Sequence, residues 1–219
     1  MKRYILDLAV FLVLLCVDIS FQLSTSKLNK ESACPNADDI APCTCYASSD
    51  NKWVDLDCSM VKDSDQLGNI FQANFPVKQF SQLVISNNQH IKELPEGVFN
   101  DVAFETISIQ RTSLSHVDEG TFKGSKDVLK SLKIVQSKLT DDGFPFSSLK
   151  SYKALEVFHL SFAKLTKFPK ISSDSLARVN FLSNKIHEVA TDSFDDLPHL
   201  IEVGIGKNGL KEIPEGVVS

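Results

Sequence analysis

The sequence predicts an α/β repeat fold, a right-handed solenoid in which each unit adds one strand to a parallel sheet. An apolar pattern, L-x-x-L-x-L-x-x-N followed by an apolar residue and L-P-x-G-x-F, recurs about six times at a period of 21 to 26 residues. Four cysteines precede the first copy, at the place where a solenoid needs a different unit to cover its first apolar layer.

The clearest copy of the pattern is the stretch FSQLVISNNQHIKELPEGVF. Its marked positions are filled by Phe80, Leu83, Ile85, Asn88, Ile91, Leu94 and Phe99. This is the unit of a leucine-rich repeat, whose strands line the inner side of a curved array. The predicted fold is therefore a leucine-rich-repeat solenoid, a right-handed horseshoe with a parallel concave sheet and an N-terminal disulfide cap.

Residues 1–24 have the pattern of a secretory signal peptide. Two basic residues are followed by an apolar run of ten, Leu8–Val17. A membrane-spanning helix needs about 20 apolar residues, so the run is too short to cross a bilayer. We expect cleavage between about residues 20 and 26 and a secreted, extracellular protein. The alternative is an uncleaved anchor, because Asp7 and Asp18 blur the ends of the run.

The cap is predicted over residues 25–62. Cys16 leaves with the signal peptide, and four cysteines remain: Cys34, Cys43, Cys45 and Cys58. An even count in a secreted chain predicts disulfides, and a bridge between the second and third cysteine closes too tight a ring. Two pairings stay open, Cys34–Cys45 with Cys43–Cys58 or Cys34–Cys43 with Cys45–Cys58. The C-x-C spacing and the oxidising compartment argue against a zinc site.

Local patterns predict a strand and a helix beside the cap. Val54, Leu56 and Cys58 alternate with two aspartates, which is the period of a strand with one buried face. The next segment, residues 63–79, is the entry to the first repeat. Within it we predict a short amphipathic helix over Asp65–Phe75, with Ser64 or Asp65 as its N-cap and a proline at its end.

Residues 80–219 are predicted to form about six repeats, each centred on a pair of inward-pointing side chains. The pairs are Leu83/Ile85, Ile107/Ile109, Leu132/Ile134, Phe158/Leu160, Val179/Phe181 and Val203/Ile205. Stacked in parallel, these strands form the concave sheet, with later apolar residues of each unit packed behind it. Phe99, Phe122 and Phe194 recur near the ends of three units, and we predict that they stack as one spine.

The asparagine position of the repeat varies along the chain. It holds Asn88, Thr112, Ser137, Ala163, Asn184 and Asn208. In this fold the side chain satisfies backbone groups of the turn between units, which alanine cannot do. A buried unpaired backbone group costs about 1–3 kcal/mol. We therefore predict an irregular middle of the array, where the spacing between central pairs runs 24, 25, 26, 21 and 24 residues and Gly143–Pro145 departs from the pattern.

The last unit, Lys211–Val218, copies Lys92–Phe99, and no cysteine cap follows it before Ser219. Either the protein ends without such a cap or the chain is a fragment of a longer product. The expectation is a fragment.

No catalytic, cofactor-binding or metal-binding pattern is predicted. Gly204, Gly206 and Gly209 spell G-x-G-x-x-G, but the helix and the acidic residue that a dinucleotide site needs do not follow. The five histidines occupy unrelated positions in the repeats, which argues against a shared metal site. The net charge of −5 and the lack of a basic block argue against a nucleic acid or an anionic membrane as partner. We expect a protein that is not an enzyme.

The outward positions of the strands predict a protein-binding surface on the concave face. Across neighbouring repeats they form a basic feature, with Arg111 near it, and an apolar one. The basic residues are Lys133, His159 and Arg178, and the apolar residues are Val135, Phe162 and Leu182. An exposed aromatic residue beside charge is typical of an interface hot spot. The alternative is that Phe162 turns inward and belongs to the core.

The cap sequence Cys34–Val61, the F-P-x-x-x-F-x-x-L entry and the N-N-x-x-I-x-x-L-P-x-G-x-F repeat together resemble an arthropod group. These are secreted leucine-rich-repeat proteins similar to the non-catalytic subunit of Oplophorus luciferase. The resemblance implies an accessory protein that binds an enzyme or another partner. The cap also resembles the N-terminal cysteine cap of extracellular leucine-rich-repeat proteins, which implies the pairs Cys34–Cys45 and Cys43–Cys58. The alternative function is an ectodomain fragment of a membrane receptor or of a matrix protein.

Overall fold

The computed structural model describes residues 33–212, so the predicted signal peptide and residues 213–219 lie outside the described part. Its strands are β1 Thr44–Ala47, β2 Val54–Asp57, β3 Gln79–Ser86, β4 Glu93–Leu94, β5 Ala103–Gln110, β6 His116–Val117, β7 Ser131–Val135, β8 Val157–Ser161, β9 Arg178–Asn180 and β10 Glu202–Gly204. Its helices are α1 Ala37–Ile40 and α2 Ser64–Ile70, with 3-10 turns at Lys123–Ser125 and Phe146–Ser151.

One long sheet organises the chain. Its strand order is β1-β2-β3-β5-β7-β8-β9-β10. The β1–β2 hairpin of the cap is antiparallel, and every later neighbour is parallel. A second, two-stranded sheet pairs β4 with β6. Each repeat therefore adds one strand beside the previous one, and the predicted leucine-rich-repeat fold class is confirmed.

The inward side chains of the sheet form a continuous core. In the first five repeats both members of every central pair are at most 1% exposed. In β10, Val203 is 37% exposed. The predicted phenylalanine spine is wrong in part: Phe99 and Phe122 stack with ring centroids 5.7 Å apart, but Phe194 packs 4.9 Å from Phe168 in a different cluster.

The turn asparagines bind backbone groups of two neighbouring units. The Asn88 side chain donates to the carbonyls of Ser59 and Val61 and accepts from the N–H of two residues in its own turn. Asn184 donates to the carbonyls of Leu160 and Phe181, each at 3.0 Å. Side chains at this position thus join successive turns, as the repeat pattern requires.

The prediction for Ala163 needs a correction. Alanine cannot accept the N–H of Leu165, the residue two positions later, but this N–H is not left unpaired. Asn184 Oδ1, from the next repeat, accepts it at 3.3 Å. The hydroxyl groups of Thr112 and Ser137 accept the corresponding N–H groups of their own turns, at 3.5 and 3.4 Å. The acceptor that Ala163 lacks is therefore supplied by Asn184, which lies 21 residues further along the chain.

The cap is closed by two disulfides, Cys34–Cys45 and Cys43–Cys58, which is the pairing that the resemblance implies. The helix after the cap is shorter than predicted. It begins with Asp63 as N-cap, whose side chain accepts the N–H of Gln66, and it ends at Ile70. Asp63 lies earlier than either predicted N-cap, because its extended backbone lets the carboxylate reach the first turn.

Candidate protein-binding face

The outer face of the sheet carries side chains in straight rows across the repeats, because parallel register aligns equivalent residues. The row through the middle of the strands runs Asp57, Val84, Ser108, Lys133, His159, Asn180 and Gly204. A neighbouring row of residues closer to the strand ends contains Gln110, Val135 and Ser161. Residues about 25 positions apart in the sequence thereby become neighbours on one surface.

A turn row follows the strands, and every member has its backbone in the left-handed region. It consists of Asn87, Arg111, Gln136, Phe162, Ser183 and Lys207, with φ between 51° and 59°. The N–H groups of the first five of these residues donate to the next repeat; Arg111 donates to the carbonyl of Val135 at 2.8 Å and Phe162 to that of Leu182 at 3.0 Å. The left-handed backbone costs a non-glycine residue roughly 1–2 kcal/mol, and asparagine tolerates it best.

Phe162 is the unusual member of the turn row. A bulky side chain at φ 52° is a backbone outlier, and the side chain is 49% exposed. Phe162 is therefore not part of the core, which excludes the alternative that it turns inward. It lies beside Leu182 and near Val135, both half-buried. We call these three residues the apolar strip.

The structure brings some of the predicted basic residues together and separates others. Lys133 and His159 are direct register partners on β7 and β8. Arg111 lies on the turn row, where its Nε donates to Asn87 Oδ1. Arg178 lies at the start of β9, and its Nε is 3.6 Å from Glu202 Oε2, which offsets its charge. Arg178 is thus separate from the apolar strip, whereas Lys133 and His159 flank it.

His159 is a half-buried histidine whose register partner on β7 is Lys133. Its Nε2 lies 2.7 Å from Ser161 Oγ. Burial, followed by the nearby charge of Lys133, lowers the pKa of His159 below its ordinary value of 6.5. The folded protein therefore favours the neutral ring, and the unfolded chain binds a proton more readily.

This difference predicts a pH dependence of stability. The unfolded chain binds more protons at this histidine than the folded protein does. The contribution of His159 to the free energy of unfolding is therefore fully present above its unfolded pKa and is lost as pH falls from about 6.5 downward. We expect His159→Gln to reduce the loss of unfolding free energy between pH 7.5 and pH 5, measured by urea denaturation. His199→Gln, at an exposed histidine outside this surface, is the control. An unchanged pH profile in the His159 variant contradicts the assignment.

One basic row on this side of the molecule was missed by the sequence analysis. Lys138, Lys164 and Lys185 occupy the same position in three consecutive repeats, one residue after the asparagine position. Their backbone N–H groups donate to Leu114, Leu139 and Leu165 of the preceding units at 2.8 to 2.9 Å. The signal was present in the sequence, because each of these lysines comes six residues after the first member of its central pair.

Within residues 33–212 no group of three or more His, Cys, Asp or Glu residues is placed to hold a metal ion. Gly204 lies on β10, where an added Cβ would come within 3.0 to 3.2 Å of the Asn180 side chain, so packing explains this glycine. In the same range, no helix has both the length and the apolar character needed to span a membrane.

Comparisons with known proteins agree with this architecture, although no protein-family model matches the chain. The chain is 30% identical to the non-catalytic subunit of Oplophorus-luciferin 2-monooxygenase from Oplophorus gracilirostris over 226 aligned residues. The match covers 91% of this chain and 62% of the length of that protein.

One solved structure is similar in fold, and a second matches at a lower TM-score. A chain of the octameric complex of Latrophilin 3, Unc5D and FLRT2 (LRR) has a TM-score of 0.58 at 17% identity, over 71% of this chain and 46% of that one. Human 5T4, also named Wnt-activated inhibitory factor 1, has a TM-score of 0.44 at 14% identity over 83% of each chain.

Proposed function

From the premise that this chain is a leucine-rich-repeat homologue of the Oplophorus non-catalytic subunit, we propose that it is a secreted, non-catalytic binding protein. It holds a protein partner on its concave face, as an accessory subunit or scaffold. The two disulfides of the cap support an oxidising, extracellular location. The relative's description as a non-catalytic subunit supports a role in binding rather than in chemistry.

The observation that carries this proposal is Phe162. Its backbone is in a region that disfavours a bulky residue, and its side chain is half exposed, so the residue is costly for the free protein in two respects. Hot-spot aromatics of interfaces have this character, because their apolar area is buried only when the partner binds. The apolar strip is therefore the proposed centre of the interface.

Phe162→Asn separates binding from stability. Asparagine fits the left-handed backbone, so we expect the variant to gain about 1 kcal/mol of stability while losing the apolar contact. The measurement is affinity capture from the secretions of the source animal, with the secreted, disulfide-intact protein as bait, together with thermal unfolding. A partner that co-purifies at fixed stoichiometry with the wild type should be lost from the variant.

The matched control is Met60→Asn. Met60 is an apolar residue that is 75% exposed, and it lies in the cap, outside the apolar strip. This variant should retain the partner. Full retention of a stoichiometric partner by Phe162→Asn contradicts the proposed binding centre. A large drop in melting temperature in the same variant contradicts the backbone argument.

A further inference from the structure

Charge is segregated along the chain. Residues 131–187 contain nine Lys and Arg residues against four Asp and Glu residues, whereas the rest of the chain contains 14 against 24. The protein is acidic as a whole, with a net charge of −5, but this segment is strongly basic. It contains the repeats that carry the apolar strip, so the charge and the exposed aromatic residue coincide in one part of the sheet.

The basic row concentrates this charge at one edge of the apolar strip. Equivalent residues of neighbouring repeats lie about 5 Å apart in a parallel sheet, so Lys138, Lys164 and Lys185 follow one another at that spacing. All three are exposed. Among the described residues, none of them has a carboxylate within 4.0 Å. Like charges at this spacing repel one another, and an anionic partner relieves the repulsion.

Several other lysines of the array do have carboxylate partners. Lys130 lies 2.7 Å from Glu105, Lys153 3.1 Å from Asp127 and Lys170 2.8 Å from Asp192, all between neighbouring repeats. The carboxylate of Asp141, three residues after Lys138, forms its hydrogen bonds with the next repeat and not with Lys138. Although its partial burial opposes ionisation, hydrogen bonds from Thr166 and the Lys167 N–H keep the pKa of Asp141 below its ordinary value.

The apolar strip lies between two basic features. On the strand side is Lys133, whose register partner His159 favours the neutral ring, and two residues after Phe162, in the turn, is Lys164 of the basic row. Phe162 and Lys164 flank a single residue, so the aromatic ring and the cations belong to the same turn. A partner that fits this surface needs apolar side chains in the middle and negative charges on both sides.

We propose that the partner binds through an acidic protein segment, with apolar or aromatic side chains on the apolar strip and carboxylates on the flanking lysines. This inference rests on the proposed function and specifies the chemistry of its partner. A sulfated polysaccharide supplies the negative charge but no apolar side chain for Phe162, so the surface fits it less well. A second copy of the chain, whose cap presents Asp55 and Asp57 on the sheet face, is a further alternative.

The test compares two triple variants of the full protein. One replaces the basic row, as Lys138→Glu, Lys164→Glu and Lys185→Glu. The control replaces Lys92, Lys126 and Lys150 with glutamate, which changes the net charge equally at exposed lysines outside the row. The probe is a fluorescent peptide that alternates aspartate with phenylalanine, and a matched peptide carries asparagine for aspartate. Binding is measured by anisotropy at low and at moderate salt.

We expect the basic-row variant to bind the aspartate peptide at least roughly tenfold more weakly, the control variant to bind it like the wild type, and the asparagine peptide to bind poorly. Equal binding by both variants overturns the proposal. It is also overturned if heparin or an oligonucleotide binds through the basic row and the peptide does not. The proposal is likewise overturned if the peptide does not bind and analytical ultracentrifugation shows self-association that the basic-row variant loses. That outcome favours a second copy of the chain as the partner.

Partner capture distinguishes this inference from the proposed function. If Phe162→Asn loses the stoichiometric partner and the basic-row variant keeps it, the binding face stands and the acidic segment is wrong. If both variants keep the partner, the proposed face itself is wrong. If the peptide binds through the basic row but no partner is captured, the acidic-segment inference is supported and the accessory-subunit role loses support.

Discussion

Replacing Asn184 with alanine should cost about 3 kcal/mol of stability, because each buried backbone group left unpaired costs about 1–3 kcal/mol. The buried Asn184 side chain serves the N–H of Leu165 and the carbonyls of Leu160 and Phe181. The Phe181 carbonyl also accepts from Asn208 at 3.0 Å, so the loss falls on the Leu165 N–H and the Leu160 carbonyl. The neighbouring position holds Ala163, which offers no substitute acceptor. We expect the midpoint of thermal unfolding to fall by roughly 6–12 °C, measured by circular dichroism.

Thr112→Ala is the matched control for this prediction. Thr112 occupies the same position of an earlier repeat, but its hydroxyl makes one long contact, at 3.5 Å to the N–H of Leu114. Its loss should cost under about 1 kcal/mol. Adding Ala163→Asn to the Asn184 variant should recover part of the stability, because an acceptor then returns to the turn. Similar losses for Thr112→Ala and Asn184→Ala contradict the bridging role of Asn184.

Removal of the Cys43–Cys58 disulfide should have the other large effect. The bridge closes a separation of 15 residues, for which the chain-entropy model gives about 3 kcal/mol. Both cysteines are also part of the core, at 4% and 0% exposure. We therefore expect Cys43→Ala with Cys58→Ala to lose about 3–5 kcal/mol, read from urea denaturation followed by circular dichroism.

The second bridge of the cap provides the comparison. Cys34–Cys45 closes a separation of 11 residues, so its entropic contribution is nearly the same, about 3 kcal/mol. Both of its cysteines are only half-buried, and less packing is lost when they become alanine. The Cys34→Ala and Cys45→Ala variant should therefore be the more stable of the two. The reverse order indicates that core packing around Cys58 contributes little.

The position of each strand could be predicted because the evidence is local. Side chains alternate between the two faces of a strand, so Leu83 and Ile85 identify an inward face without knowledge of any other repeat. The same pattern in later units predicted the remaining strands and their order. The outward exposure of Val135 and Leu182 also followed from this alternation. Phe162 lies two residues after Leu160, where alternation gives an inward side chain, so its exposure depends on the left-handed turn that ends the strand.

The positions of the helix start and of the phenylalanine rings were less predictable. Asp63 caps α2 because of its backbone conformation, and Ser64 and Asp65 are equally good caps by residue type. Phe194 resembles Phe99 in repeat position, but its ring packs on Phe168 of the preceding unit, the one with the short spacing of 21 residues.

Spacing within a unit was sufficient to predict the repeat class, the strands and the buried faces, and the cysteine count was sufficient to predict a cystine cap. Only the stacking of the units shows which repeat supplies a hydrogen bond that its neighbour lacks, and which surface residues lie side by side. The contact of Asn184 with the Leu165 turn and the exposure of Phe162 at a left-handed turn arise from stacking between units. Such contacts join residues about 20 to 26 positions apart, where no local periodicity specifies the neighbour.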